Sequence, residues 1–333
     1  MLQDLLANGR PLLADGATGT NLFEVGLTSG ENPELWNATE PDKIKALHRS
    51  FVDAGADIIL TNTFGGNRRR LALHRLEART HELNRLSARH ARDVADAAGR
   101  PVVVAGSVGP TGDLLAPLGP LSEDDAVDVF IEQIMGLQEG GADVVWIETM
   151  SAAEEIRAAA RAAAKVGMPY TTTASFDTAG KTMMGMSPAV LGALVEAFSP
   201  APVAYGANCG VGAGDLAYSI LAMTQAAPDA IIIAKANAGV PQWRGAEIHY
   251  SGTPELMSLY VVLALDAGAR IVGGCCGTKP AHLAAMRRAM DSHRPGPRPD
   301  LASIEAALGK LVNPPVAASV ARRPRARMES GRT

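Results

Sequence analysis

Eight short apolar runs, separated by segments of helical period, constrain this chain more than any other feature. They cover residues 11–14, 57–61, 101–105, 143–147, 170–175, 202–207, 230–234 and 269–272. Most are rich in Val and Ile, and several are continuous rather than alternating, as expected of strands buried on both faces in a parallel sheet. The intervening segments read as helices. Ser122-Glu123-Asp124-Asp125 is a capping signal. Val127, Phe130, Ile131, Ile134 and Leu137 then follow a 3.6 period. Gly140-Gly141 ends that stripe. Ile44, Leu47 and Phe51 form a similar stripe, as do Leu283, Met286 and Met290 after Pro280. Strands alternating with helices predict βαβ units. Eight of them predict a closed α/β (β/α)8 TIM barrel, a fold of about 250 residues before insertions. A doubly wound open sheet is the second architecture, and the strand number favours the barrel.

The barrel is expected to form a single domain over 1–312, with irregular stretches at 16–40 and 239–253. The remainder, 313–333, holds Pro314, Pro315, Pro324 and five arginines (Arg322, Arg323, Arg325, Arg327, Arg332) against one acid, Glu329. That tail is expected to be disordered.

Composition excludes some functions. Aromatics make up 4% and net charge is −4, which argues against nucleic acid as a partner. No apolar stretch reaches the ~18 residues that cross a bilayer. Residues 1–6 lack a basic region and a long apolar run, so no secretory signal is expected and the chain is read as cytoplasmic. Thiols stay reduced there, and three cysteines then point to metal or catalytic chemistry rather than disulfides.

In a (β/α)8 barrel the chemistry sits at the C-terminal ends of the strands. Asp15-Gly16, Asn62-Thr63-Phe64, Ser107, Glu148-Thr149, Asn208-Cys209-Gly210, Lys235-Ala236-Asn237 and Cys275-Cys276-Gly277 all fall there. Local readings compete at each. Asp15 is equally a turn residue. Ser107 reads as a helix cap. Asn62, Asn208 and Asn237 can serve loop backbone. Lys235 can form a Schiff base or pair with an acid across the mouth. Glu148 ends a buried strand, where a carboxylate is costly without a cation. Cys209, Cys275 and Cys276 are the only cysteines. Converging from two strand ends, they would hold one soft metal ion with a coordination position left open, the pattern of a catalytic zinc.

Asp-Gly-Ala-Thr-Gly-Thr at 15–20, Asn-Thr-Phe at 62–64, Gly-Ser-Val-Gly-Pro-Thr-Gly at 106–112, Glu-Thr at 148–149, Gly-Ala-Asn-Cys-Gly at 206–210 and Gly-Gly-Cys-Cys-Gly at 273–277 resemble the homocysteine S-methyltransferase family. The likeness covers 10–292. With Ser-Phe-Asp-Thr-Ala-Gly at 175–180, the chain looks most like the bacterial betaine–homocysteine enzymes. The resemblance implies that Cys209, Cys275 and Cys276 bind Zn2+. It implies that Asp15 and Glu148 hold the homocysteine ammonium, with Gly16 and Asn208 in the substrate-binding set. Betaine is then the implied methyl donor, with S-methylmethionine or a separate methylcobalamin protein as alternatives. A homo-oligomer or a corrinoid-protein partner would be compatible with it. The animal betaine enzymes carry a tyrosine after the acid that matches Glu148, where this chain has Thr149. Phe23, Trp36, Phe64, Trp243 and Tyr250 are candidate aromatic faces for a quaternary ammonium, and Arg68–Arg70 offer a carboxylate partner. The rival readings are a Schiff-base aldolase barrel using Lys235 and a non-catalytic subunit that binds homocysteine or a corrinoid protein.

Overall fold

A computed structural model describes residues 1–244 and 247–314, with the side chains of 241–249 outside the description. The tail expected to be disordered lies outside the described residues from 315 onward. Eight parallel strands form one sheet: β1 (Leu12–Leu13), β2 (Ile58–Leu60), β3 (Val103–Val108), β4 (Val144–Met150), β5 (Tyr170–Ala174), β6 (Ala204–Cys209), β7 (Ile232–Ala236) and, after a hairpin of β8 (Pro241–Arg244) and β9 (Glu247–Tyr250), β10 (Ile271–Gly274). Strand order runs β1-β10-β7-β6-β5-β4-β3-β2. A parallel bridge from Ala14 to Ile58 brings the first strand back to the second, which makes the sheet a (β/α)8 barrel. Each predicted run overlaps one of these strands, and five of the strands continue two or three residues beyond the run.

Two apolar layers hold the barrel. Leu12, Ala14, Ile58, Leu60, Val103, Ala105, Val144, Trp146, Ala204, Ile233 and Ile271 fill its interior, with Leu2 and Leu6 of the N-terminal helix Leu2–Ala7 packed on them. A larger cluster packs the helices onto the strands; Val127, Phe130, Ile134 and Leu137 belong to it. Their helix, Glu123–Glu139, starts where Ser122 accepts a hydrogen bond from the Asp125 amide at 3.0 Å. The end opposite the mouth is tied by Asp57. Its carboxylate accepts from Leu13 N at 3.0 Å and pairs with Arg10 at 2.8 Å and Arg287 at 3.3 Å.

The two stretches read as irregular carry structure of their own. Residues 16–40 contain the short helices Gly19–Glu24 and Trp36–Thr39, and 239–253 contains the β8–β9 hairpin. The hairpin lacks an Asn-Gly or Asp-Gly turn, the strongest short-range signal for such a pair.

Candidate metal centre and substrate site

The C-terminal ends of the strands form a mouth that gathers side chains from seven strands. β6 ends at Cys209, and the turn after β10 carries Cys275 and Cys276. The three sulfur atoms lie within 4.8 Å of one another, and none is in a disulfide. Tetrahedral coordination with metal–sulfur bonds of about 2.3 Å sets sulfurs about 3.8 Å apart, a spacing inside that limit, so the cluster can hold one soft ion. Charge inside it is unequal. Donation from Cys209 and Cys275 pulls Cys276 down to about 3, whereas contact with the other two sulfurs drives Cys209 far up. Three thiols this close cannot all ionise without a cation to compensate them.

Backbone strain marks the same place. Cys209 has φ 62° and Thr149 φ 60°, a region that costs a non-glycine residue about 1–3 kcal/mol. Asn208 offsets this. Its Oδ1 accepts from Thr149 N at 2.8 Å and from Thr173 Oγ1 at 2.7 Å. Its Nδ2 donates to Thr149 Oγ1 at 2.7 Å and reaches Cys275 Sγ at 3.8 Å. Asn208 therefore clamps three strand ends and presents no unused polar atom to a ligand. Asn237 plays a parallel part. Its Oδ1 accepts from Cys276 N at 3.0 Å and its Nδ2 donates to Gly210 O at 2.6 Å, joining the two cysteine-bearing loops. The sequence left Asn237 undecided; its place at the end of a strand was the available signal.

Beneath the sulfurs lies a buried charge cluster. Asp15 Oδ1 meets Lys235 Nζ at 2.8 Å, and Asp15 Oδ2 accepts from Leu60 N at 2.7 Å. Lys235 is 2% exposed and sits 5.7 Å over the Trp146 ring. Burial raises Asp15, opposed by Lys235. Burial alone would lower the Lys235 ammonium, but Asp15 and Glu148 outweigh it and raise its pKa. A charged ammonium is no nucleophile, so the Schiff-base reading loses its residue. Glu148 Oε1 accepts from Ser107 Oγ at 2.5 Å. Ser107 thus serves the acid and caps no helix. Burial pushes Glu148 up to about 7, against the pull of Lys235. Among the described residues nothing bonds Glu148 Oε2. Gly16 is required by close approach: a Cβ there would lie 2.7 Å from Thr278 O and 2.8 Å from the Phe51 ring.

The remaining candidates separate. Trp36 is buried with Leu22, Leu27 and Ile44, and Lys43 lies 4.4 Å over its ring, so it offers the mouth no face. Trp243 lies outside the described side chains. Phe23 and Phe64 are exposed on the first two mouth loops. The Tyr250 hydroxyl hydrogen-bonds Cys276 and helps to lower it. Arg68 pairs with Glu132 at 2.6 Å and Arg69 with Asp113 at 2.5 Å, leaving neither guanidinium idle. No helix among the described residues is long and apolar enough to cross a membrane.

The methionine synthase of Mycobacterium tuberculosis is 32% identical over 307 residues, which are 87% of this chain and 25% of that protein. The methionine synthase of Mycobacterium leprae is 32% identical over 308 residues, 86% of this chain and 25% of that protein. The chain therefore spans about a quarter of the length of these relatives. Among solved structures, the metallated form of the homocysteine methyltransferase MmuM from Escherichia coli superposes with a TM-score of 0.69 at 27% identity, covering 86% of this chain and 99% of that one. Its oxidized form gives 0.67 at 26%, with 84% and 95% covered. The family model for homocysteine S-methyltransferase matches residues 12–290, and the chain belongs to that family.

Proposed function

We propose that this chain transfers a methyl group to the sulfur of homocysteine, held on a zinc ion by Cys209, Cys275 and Cys276, and so makes methionine. The observation that carries the reading is the meeting of three thiols within 4.8 Å at the mouth of the barrel. Their soft donor set suits zinc, and three protein ligands leave a position for a substrate sulfur. The name of the mycobacterial relatives, methionine synthase, supports methionine as the product.

Zinc, when bound, supplies the positive charge that keeps the homocysteine sulfur ionised at neutral pH, where a free thiol with a pKa of about 8.5 is mostly protonated. The chain's own residues do the rest. Asn208 and Asn237 hold the cysteine loops in register. Glu148 receives the substrate ammonium on Oε2 while Ser107 fixes Oε1. Fixing both ends of the amino acid supplies the proximity term. The sulfur then forms a bond to the methyl carbon as the bond from that carbon to the donor breaks, its electron pair leaving with the donor.

Betaine is the proposed donor, giving dimethylglycine. The exposed rings of Phe23 and Phe64 offer faces for its quaternary ammonium. The reaction is placed in the cytoplasm, where the three thiols stay reduced. The test is methionine formation by zinc-loaded protein from homocysteine with betaine, S-methylmethionine or a methylcobalamin protein supplied separately. Turnover with betaine alone supports the donor assignment. Turnover only with another donor overturns it and keeps homocysteine as acceptor. No methionine with any donor overturns the whole reading.

A further inference from the structure

The family model ends at residue 290, yet the described chain continues to 314. This extension packs on the helix Ala213–Ala226, the one that follows Cys209. Ile304, on the helix Leu301–Leu308, and Leu311 bury themselves against Ala217. Gly309 turns the chain at φ 89°. The residues after it cross the first turn of Ala213–Ala226 as a strap. Val312 N donates to Asp215 Oδ2 at 3.0 Å, and Asn313 N donates to Asp215 Oδ1 at 2.8 Å. The Asn313 side chain donates to Asp177 O, in the loop after β5.

Asp215 is the third residue of its helix, the position from which an acidic side chain can reach back to the N-cap amide. Here both of its oxygens turn outward to the strap, and no side chain caps the helix at Gly212. Only Gly210, Val211 and Gly212 separate that helix from Cys209. Asp215 borders the same small cleft as Cys209, Gly210 and Val211. Cys209 and Gly210 stand at φ 62° and 75°, and a non-glycine residue stays in that region only where its surroundings impose it. Asn208 and Asn237 hold this loop from the strand side. On the helix side the strap is what holds it.

We propose that residues 309–313 are a strap that fixes the Cys209 arm of the metal centre, with Asp215 as its positioning residue. Asp215 touches neither metal nor substrate; it acts through the turn that carries Cys209. The inference rests on reading Cys209, Cys275 and Cys276 as a metal site.

Two measurements on the full chain test it. The first is zinc affinity by chelator competition. Asp215→Ala frees the strap from the polar side and Leu311→Ser from the apolar side, and each should weaken zinc about tenfold. The double variant should lose no more than either alone, because both changes release the same strap. A merely structural role would lower the unfolding midpoint and leave zinc affinity where it was. The second measurement needs no variant. Coupling is reciprocal, so zinc should slow hydrogen exchange of the Val312 and Asn313 amides in the wild-type protein about tenfold. Exchange unchanged by zinc overturns the inference, whether or not the variants fold. Zinc affinity within about twofold of wild type in folded Asp215→Ala also overturns it. Failure of the wild-type protein to bind zinc overturns the metal reading, and this inference with it.

Discussion

The two ends of the barrel are built by opposite rules. The end opposite the mouth is closed by apolar packing and by paired charges. Leu2 and Leu6 seal it, and Asp57 has a partner for each oxygen. The mouth holds two non-glycine residues at positive φ, three thiols in contact, and buried acids whose pKa values are raised by burial. In barrels of this kind one end serves stability and the other chemistry. Here the mouth stores the strain and unpaired charge that the rest of the fold holds in place.

Substitutions can break this contrast. The largest effect is expected from Cys276→Ala. It should take bound metal from about one equivalent per chain to almost none and abolish methionine formation, while the thermal unfolding of the metal-free protein barely moves. Loss of stability with metal retained would mean that the mouth is structural. Asp57→Ala is the converse. It removes the acceptor of the buried Leu13 amide and the partner of Arg10, while Arg287 keeps Asp291, and should cost about 1–3 kcal/mol in denaturant unfolding, with turnover per folded molecule unchanged. Asn208→Ala comes next. Releasing Thr149, Thr173 and Cys275 should weaken metal binding about 10–100-fold in chelator competition, with a smaller change in unfolding.

The acidity of Glu148 sharpens the contrast further. Its folded pKa of about 7 lies above the usual carboxylate value, so at pH 6 it is mostly neutral and cannot pair with an ammonium. The KM for homocysteine should therefore rise about tenfold per pH unit below 7, and Glu148→Gln should flatten that rise. Linkage has a definite sign as well. The folded protein binds this proton more tightly than the unfolded chain, so the group's contribution to stability falls as pH rises from 4.5 towards 7. The smallest effect is reserved for the outer surface. Arg161→Ala removes exposed pairs with Glu123 and Asp124, and exposed pairs contribute at most about 1 kcal/mol.

What could be read from sequence follows the range of the interactions. Each strand announces itself within a handful of apolar residues, and the cap at Ser122 lies three residues from its partner Asp125. The cysteines were legible as strand-end residues, and β6 and β10 both flank β7, which brings those ends together. The rest depends on contacts that no local pattern encodes. Lys235 and Asp15 are 220 residues apart, and they meet because β7 and β1 both pair with β10. The same holds for Ser107 with Glu148 and for Asn237 between the cysteine loops. Asp15 was read as an acid for a substrate ammonium; its bonds to Lys235 and to the Leu60 amide were not visible in the sequence.

The central claim is that the three sulfurs share one metal ion and leave room for the substrate's sulfur. X-ray absorption at the zinc edge, on protein with and without homocysteine, tests it most directly. The expected result is coordination by the three cysteine sulfurs and one lighter atom in the resting protein, with a further sulfur replacing the lighter atom when homocysteine is added. An unchanged sulfur count on adding homocysteine, or a resting site with fewer than the three cysteine sulfurs, would contradict it.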